Sequence, residues 1–192
     1  MKALGIVSEY NPFHNGHRFQ IKNAKKQSGA DVAVAVMSGN YVQRGDVAVY
    51  SKHERARLAV LGGADIVFEL PAVFSLRSAL PFAEAAVFLL SAAGCDFIAF
   101  GAESDNINTL TSAADLFISE PEPFKNVLRE NLNSGMSFAA ARASAAAKIN
   151  PQLAAITDSP NNILAISYIM ALKKLKYNAS PIITLRRGAA HD

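Results

Sequence analysis

Two histidines near the start of the chain have the spacing of a phosphate-binding site. His14 and His17 flank Gly16 in the segment EYNPFHNGH, residues 9–17. If a helix begins here, residues three apart lie on one face, so both imidazoles can point at one phosphate. Gly16 leaves room for close approach, and the helix N-terminus adds free N–H groups and a favourable dipole. The segment therefore predicts stabilisation of the charge that grows when an α-phosphorus is attacked, with neither histidine required as a nucleophile.

This segment follows the first of five short apolar runs, each of which predicts a strand buried on both faces. Segments with helical spacing separate the runs, and this alternation is typical of βαβ units in a mostly parallel sheet. We predict a Rossmann-like (HUP) α/β fold of sheet order 3-2-1-4-5, with the ligand at the carboxyl edge of the sheet. The predicted strands are residues 3–7, 32–37, 66–70, 97–100 and 182–185, and the intervening helices are about 17–28, 52–61, 79–92 and 161–175.

The long stretch between the fourth and fifth strands also has helical patterns. We predict a helical insertion at about residues 106–150, within a single catalytic domain that spans residues 1–192. Two helix starts carry local signals. Ser51 followed by Glu54 has capping-box spacing, and Ser159 followed by Pro160 is typical of an N-cap and first helical residue.

Composition narrows the class of protein. The 192 residues are 51% hydrophobic and 18% charged, which indicates a globular domain rather than a disordered chain. A formal net charge of +3 is compatible with a phosphate-bearing partner but also with an ordinary solvated surface. Cys95 is the only cysteine, so no intrachain disulfide or cysteine-based zinc site can form. We find no secretory signal or membrane-spanning run, and expect a cytoplasmic protein without a membrane partner.

The first motif resembles a known family. HNGH is an HxGH signature of the HIGH nucleotidyltransferase superfamily, and EYNPFHNGH is similar to the bacterial tRNA(Met) cytidine acetate ligase family. The resemblance continues through MSGNYVQRGDVAVYSKHERARLAVLGGADIVFELP, FGAES, SPNNILAISYI and RRGAAHD, and so covers the whole chain. It implies ATP-dependent activation of acetate to acetyl-adenylate, followed by acetylation of N4 of the wobble cytidine in elongator tRNA(Met). The family continues into a C-terminal tRNA-binding region, which is not found here and which we expect tRNA acetylation to need.

The same resemblance implies the site residues. His14 and His17 would act on phosphate as the catalytic pair, and Mg²⁺ is expected to accompany ATP without a dedicated protein metal site. Ser38, Gly39 and Asn40 become candidates for an acetyl-adenylate pocket. The expected ATP contacts are Val7, Ser8, Glu9, Tyr10, Asn11, Pro12, Phe13, His14, Asn15, Gly16, His17, Arg18, Phe19, Gln20, Gly101, Asn162 and Arg187.

The residues outside the first motif also have purely structural interpretations. The loop after the second strand could simply be packed, Gly101 could be a turn glycine, and Asn162 could cap a helix. Lys52 and Arg55 share a predicted helix face and, with Arg186, are candidates for phosphate or RNA contacts. These cations could equally be solvated.

Two other functions fit the same pattern. A small-molecule adenylyltransferase shares the sheet and the HxGH chemistry, but its late Ser/Thr-rich phosphate motif ending in arginine is not found, and SPNN and RRG stand instead. A noncatalytic nucleotide- or RNA-binding module is the other alternative, if the chain is part of a longer protein. An ATP-dependent assay that compares acetate with nucleotide phosphates distinguishes the two enzymes.

Overall fold

A computed structural model describes residues 1–185 and shows a five-stranded sheet. Its strand order is β3-β2-β1-β4-β5, and every neighbouring pair is parallel. The predicted topology is therefore confirmed, with the first strand at the centre and the HNGH segment at its carboxyl end. The strands are β1 (Ala3–Ser8), β2 (Val32–Ser38), β3 (Ile66–Leu70), β4 (Phe97–Ala102) and β5 (Ser180–Leu185).

Helices cover both faces of the sheet. The helices are α1 (Asn15–Ser28), α2 (Lys52–Leu61), α3 (Ala72–Ser75), α4 (Ala79–Ala92), α5 (Ile107–Ser119), α6 (Glu122–Asn133), α7 (Phe138–Ile149), α8 (Ala154–Thr157) and α9 (Pro160–Lys174), with a 3₁₀ turn at Pro151–Leu153. Helices α1 and α2 lie on one face, whereas α4 and α9 pack together on the other. Helices α5–α7 form the predicted insertion at about residues 106–150, the short helix α8 follows it, and α5 packs on α9.

The central strand is buried on both faces. Leu4 and Ile6 belong to the core beneath α1, while Ala3 and Val7 belong to the core beneath α4 and α9. Gly5 faces the second core so closely that a Cβ there would lie 2.8 Å from the Leu90 side chain. Side chains that alternate between two apolar layers explain why the sequence of β1 is a continuous apolar run rather than a polar–apolar alternation.

The edge strand β3 differs from the sequence prediction. Ile66 is 46% exposed and Phe68 is 40% exposed. The prediction that every strand is buried on both faces is wrong for β3, because an edge strand has a neighbour on one side only. Within residues 1–185, no helix is long and apolar enough to cross a membrane.

The predicted helix starts are confirmed. Ser51 precedes α2, and its side chain accepts the Glu54 N–H at 3.3 Å. Ser159 precedes α9, with Pro160 as the first helical residue. Glu54 does not complete a reciprocal capping box, because its carboxylate pairs with Arg57 one turn further along the exposed face of the helix.

Candidate active site

The turn after β1 is fastened to the loop that follows β2. The Glu9 carboxylate accepts the Gln43 backbone N–H at 2.6 Å, and the Asn11 side-chain oxygen accepts the Val49 N–H at 2.7 Å. Two polar side chains of the first motif therefore hold the loop at residues 39–51 against the carboxyl edge of the sheet. This loop forms one wall of the candidate active site.

The two motif histidines cap the first helix with their rings. Nδ1 of His14 accepts the Gly16 N–H at 3.0 Å, and Nδ1 of His17 accepts the His14 N–H at 3.3 Å. The rings are stacked, with centroids 3.7 Å apart and an angle of 25° between their planes. Two imidazoles thus form a reciprocal capping box of the kind that Ser and Glu side chains usually make.

This capping fixes where each neutral ring carries its proton. A nitrogen that accepts a hydrogen bond has no hydrogen of its own, so Nδ1 of both rings is unprotonated and the proton lies on Nε2. Each histidine therefore presents an Nε2–H donor while its Nδ1 holds the backbone in place. Donors fixed in this way can stabilise charge without reorganising during the reaction.

An aromatic layer supports the histidine pair. Tyr10, 1% exposed, meets the ring of His17 edge-on at 5.0 Å and the ring of Phe13 at the same distance. Burial raises the pKa of the Tyr10 hydroxyl well above its ordinary value, so Tyr10 stays neutral. The Phe13 ring in turn rests against Gly62 at the end of α2, where a Cβ would overlap the ring. A series of contacts from Gly62 through Phe13 and Tyr10 to His17 therefore links the end of α2 to the candidate catalytic histidine pair.

We expect Gly62→Ala to destabilise the domain by ~1–3 kcal/mol, as overpacking does at other closely packed sites. The backbone of Gly62 has φ of −84°, where alanine is normally favoured over glycine. A loss of stability in urea unfolding would therefore report the contact with Phe13 and not backbone strain. In a Phe13→Leu background the same substitution should cost less. If Gly62→Ala raises stability, the close packing against Phe13 is contradicted.

Arg55 is a buried cation that joins the ends of two central strands. Its side chain is completely buried, and its guanidinium donates to the backbone oxygens of Glu9, Ser38, Gly39 and Tyr50. Burial lowers the pKa of the Arg55 guanidinium, while the carboxylates of Glu9 and Glu69 act in the opposite direction. This placement favours a positioning role for Arg55. A direct contact with phosphate or RNA stays a prediction.

The other residues predicted beside β2 lie at the same edge. The Lys52 ammonium pairs with Glu69 at 2.6 Å, and a Cβ on Gly39 would overlap that same carboxylate. The Asn40 side-chain oxygen accepts the Lys52 backbone N–H at 3.3 Å. Lys52 and Arg55 thus leave α2 toward different partners, although the sequence predicted a shared face.

The junction between β4 and α9 forms the opposite wall. Asn162, 2% exposed, accepts the backbone N–H groups of Glu103 and Ser104, each at 3.0 Å. In return, the Glu103 carboxylate accepts from Ser159, Asn161 and the Asn162 N–H. Burial raises the pKa of Glu103, but these hydrogen bonds outweigh burial and leave the pKa below its ordinary value. Asn162 is therefore held just beyond the carboxyl end of β4, the strand that contains Gly101.

The structure brings most of the predicted residues to one edge. The first motif, the Ser38–Asn40 segment, Gly101 and Asn162 all lie at or just beyond the carboxyl ends of β1, β2 and β4. Arg186 and Arg187 lie outside the described residues. Sequence reasoning missed the anchoring roles of Arg55 and Glu103, because an arginine in a charged helix and a glutamate after a strand both resemble surface residues.

Comparisons with known proteins agree with this geometry. A family model described as HIGH Nucleotidyl Transferase matches residues 1–192. The chain is 44% identical to a protein of Acetivibrio thermocellus and 43% identical to one of Caldanaerobacter subterraneus subsp. tengcongensis, both named tRNA(Met) cytidine acetate ligase. The matches cover 97% and 100% of this chain but 46% and 48% of those proteins. The chain thus spans about half the length of these curated relatives.

A solved structure gives the same result in three dimensions. The fold is similar to that of Thermotoga maritima TmcAL bound with alpha-thio ATP, with a TM-score of 0.93 and 37% identity. This match covers 98% of the present chain and 47% of the other. The resemblance inferred from the sequence is confirmed.

The parallel sheet with its central first strand, the histidine-capped helix and the loops at the carboxyl edge together define a Rossmann-like nucleotide-binding domain of the nucleotidyltransferase type. The chain belongs to the HIGH nucleotidyl transferase family.

Proposed function

We propose that this domain activates acetate with ATP and that the acetyl group is then transferred to N4 of the wobble cytidine in elongator tRNA(Met). In the first stage a carboxylate oxygen of acetate bonds to the α-phosphorus, the bond to the bridging oxygen breaks, and pyrophosphate leaves. In the second stage the cytidine amine attacks the acetyl carbonyl, loses a proton, and AMP leaves. No protein nucleophile is needed at either stage.

The observation that carries this proposal is the pair of oriented imidazoles. His14 and His17 present Nε2–H donors at the N-terminus of α1, directly after the central strand. Attack at the α-phosphorus increases negative charge on the phosphate oxygens and on departing pyrophosphate, so donors aimed there lower the barrier. Acetate is already ionised near neutral pH, so the site needs donors that bring two anions together rather than a general base.

The two substrates would lie at separate places along the carboxyl edge of the sheet. ATP would lie across residues 7–20, Gly101 and Asn162, with Arg187 as a further contact. Mg²⁺ would enter on the ATP phosphates. Acetate would lie at Ser38, Gly39 and Asn40. The Ser38 hydroxyl supports this location, because within the described chain it is buried without a hydrogen-bond partner.

The proposal is tested by incubating the chain with ATP, acetate and elongator tRNA(Met), and analysing nucleotides and tRNA nucleosides by mass spectrometry. We expect acetyl-adenylate from this chain without tRNA, and N4-acetylcytidine from a full-length version that includes the C-terminal tRNA-binding region when tRNA is added. A dinucleotide formed with nucleotide phosphates, and no product with acetate, would instead identify a small-molecule adenylyltransferase. Calorimetric ATP binding without any adenylate would identify a noncatalytic module.

A further inference from the structure

One face of α1 combines positive charge with an exposed aromatic ring. Arg18, Lys22 and Lys26 follow one another at intervals of four residues, and all three are exposed. At about 100° per residue, these side chains and Phe19 fall within one third of the helix circumference. The opposite side of α1 is buried through Ile21, Ala24 and Ser28. We call the four outward residues Arg18, Phe19, Lys22 and Lys26 the basic face.

The cations of the basic face have no acidic partners in the described part of the chain. Seven other cations, including Lys25 of the same helix, form ion pairs with Asp or Glu, whereas Arg18, Lys22 and Lys26 form none within residues 1–185. Helix α1 contains no Asp or Glu at all. Like charges at this spacing repel, so the arrangement costs the isolated helix some stability.

The position of Arg18 argues against a simple interaction with the helix dipole. Lys26 lies in the last turn, where positive charge is favourable, but Arg18 lies near the N-terminus, where it is unfavourable. Phe19 is 63% exposed and leaves an aromatic ring in water between the cations. Cations that interleave with an exposed aromatic ring are typical of RNA-binding surfaces, where phosphates pair with the cations and an unpaired base stacks on the ring.

We propose that Lys22 and Lys26 on the basic face of α1, beyond the segment proposed for ATP, bind the phosphate backbone of the RNA substrate. This inference rests on the proposed function. His14 and His17 lie at the N-terminus of α1. RNA bound along the basic face therefore reaches the carboxyl edge of the sheet, where acetyl-adenylate would form. Lys22 and Lys26 are about 6 Å apart along the helix axis, a separation that allows contact with about two neighbouring phosphates of one strand.

The test uses the double variant Lys22→Glu/Lys26→Glu, because both residues lie outside the candidate ATP-binding segment. The matched control is Arg129→Glu/Lys148→Glu, which reverses two exposed charges on the helical insertion. Binding of a fluorescent anticodon stem-loop of elongator tRNA(Met) is measured across a salt series. We expect the test variant to bind about tenfold or more weakly, with a salt dependence shallower by about two phosphate contacts, and the control to match the parent.

Acetate-dependent pyrophosphate exchange with ATP is measured on the same samples and should be unchanged in the test variant. If the parent shows no pyrophosphate exchange but still binds RNA more tightly than the test variant, the proposed function is wrong and RNA binding by the basic face is retained. If exchange occurs but the test variant binds RNA like the parent, or the parent binds no RNA, the basic face is overturned. Binding to anionic phosphatidylserine vesicles that is lost in the test variant, with RNA affinity unchanged, would assign the face to a membrane surface instead.

Discussion

Replacing His14 or His17 by alanine is expected to slow acetyl-adenylate formation by ~10²–10³-fold, the size of effect seen when a transition-state donor is removed. ATP affinity should change much less, because the backbone and the rest of the cleft remain. In the proposed mechanism, each imidazole would present its Nε2–H donor to charge that develops only during the reaction. Pyrophosphate exchange measures the rate of acetyl-adenylate formation, and calorimetry measures the affinity for ATP. Preformed acetyl-adenylate supplied to a full-length version should bypass much of the defect in tRNA acetylation.

A capping control separates this chemical role from helix stability. His14→Ala also removes the N-cap of α1, which costs about 1 kcal/mol, whereas His14→Ser keeps a good capping residue. The serine variant should therefore recover stability in urea unfolding without recovering acetyl-adenylate formation, because a short hydroxyl does not reach the position of Nε2. If His14→Ser forms acetyl-adenylate at the parent rate, His14 acts only as a cap. If both alanine variants form acetyl-adenylate at the parent rate, the proposed role of the histidines in the mechanism is wrong.

Arg55→Met is expected to produce the largest loss of stability, about 3–5 kcal/mol in the free energy of unfolding. The substitution removes a fully buried guanidinium and leaves the backbone oxygens of Ser38 and Tyr50 without this donor. Arg55→Lys should be intermediate, since an ammonium group keeps the charge but cannot reach the same carbonyl oxygens in one plane. Urea unfolding followed by circular dichroism gives the free energies.

Arg57→Met provides the matched control. Arg57 lies two residues further along α2, and within residues 1–185 its exposed side chain forms an ion pair with Glu54 on the same helix. Exposed pairs of this kind contribute less than about 1 kcal/mol. An Arg55→Met variant as stable as Arg57→Met would show that the carbonyl oxygens find other donors, and the positioning role of Arg55 would be wrong.

The strand order could be predicted, and with it the placement of most candidate residues at one edge of the sheet, because both depend on local, redundant signals. Five apolar runs with helical segments between them define the sheet, and the HNGH motif marks the strand that must be central. The starts of α2 and α9 follow from Ser51 and from Ser159-Pro160, whose side chain and ring act within a few residues. The short helices α3 and α8 were not predicted, since four residues are too few to show a helical period.

The supporting contacts could not be predicted because they join residues far apart in the sequence. Arg55 is separated by 46 positions from Glu9, and Asn162 by 59 from Glu103. Nothing local distinguishes Arg55 from its exposed neighbour Arg57. The exposure of Phe68 likewise depends on which strand lies at the edge of the sheet. The capping by imidazole Nδ1 atoms was also unforeseen, although the motif itself indicated both histidines.

The most direct test of the account follows oxygen from acetate to the nucleotide. The chain is incubated with ATP, acetate labelled with oxygen-18 in the carboxylate, and hydroxylamine, whose nitrogen takes the acetyl group from acetyl-adenylate, and the released AMP is analysed by mass spectrometry. If the acetate carboxylate attacks the α-phosphorus, the acetyl group later leaves by breaking its own carbon–oxygen bond, so AMP must retain one labelled oxygen. We predict this label in AMP and none in pyrophosphate. Unlabelled AMP, or label in inorganic phosphate with ADP as the nucleotide product, would contradict attack at the α-phosphorus and with it the proposed function.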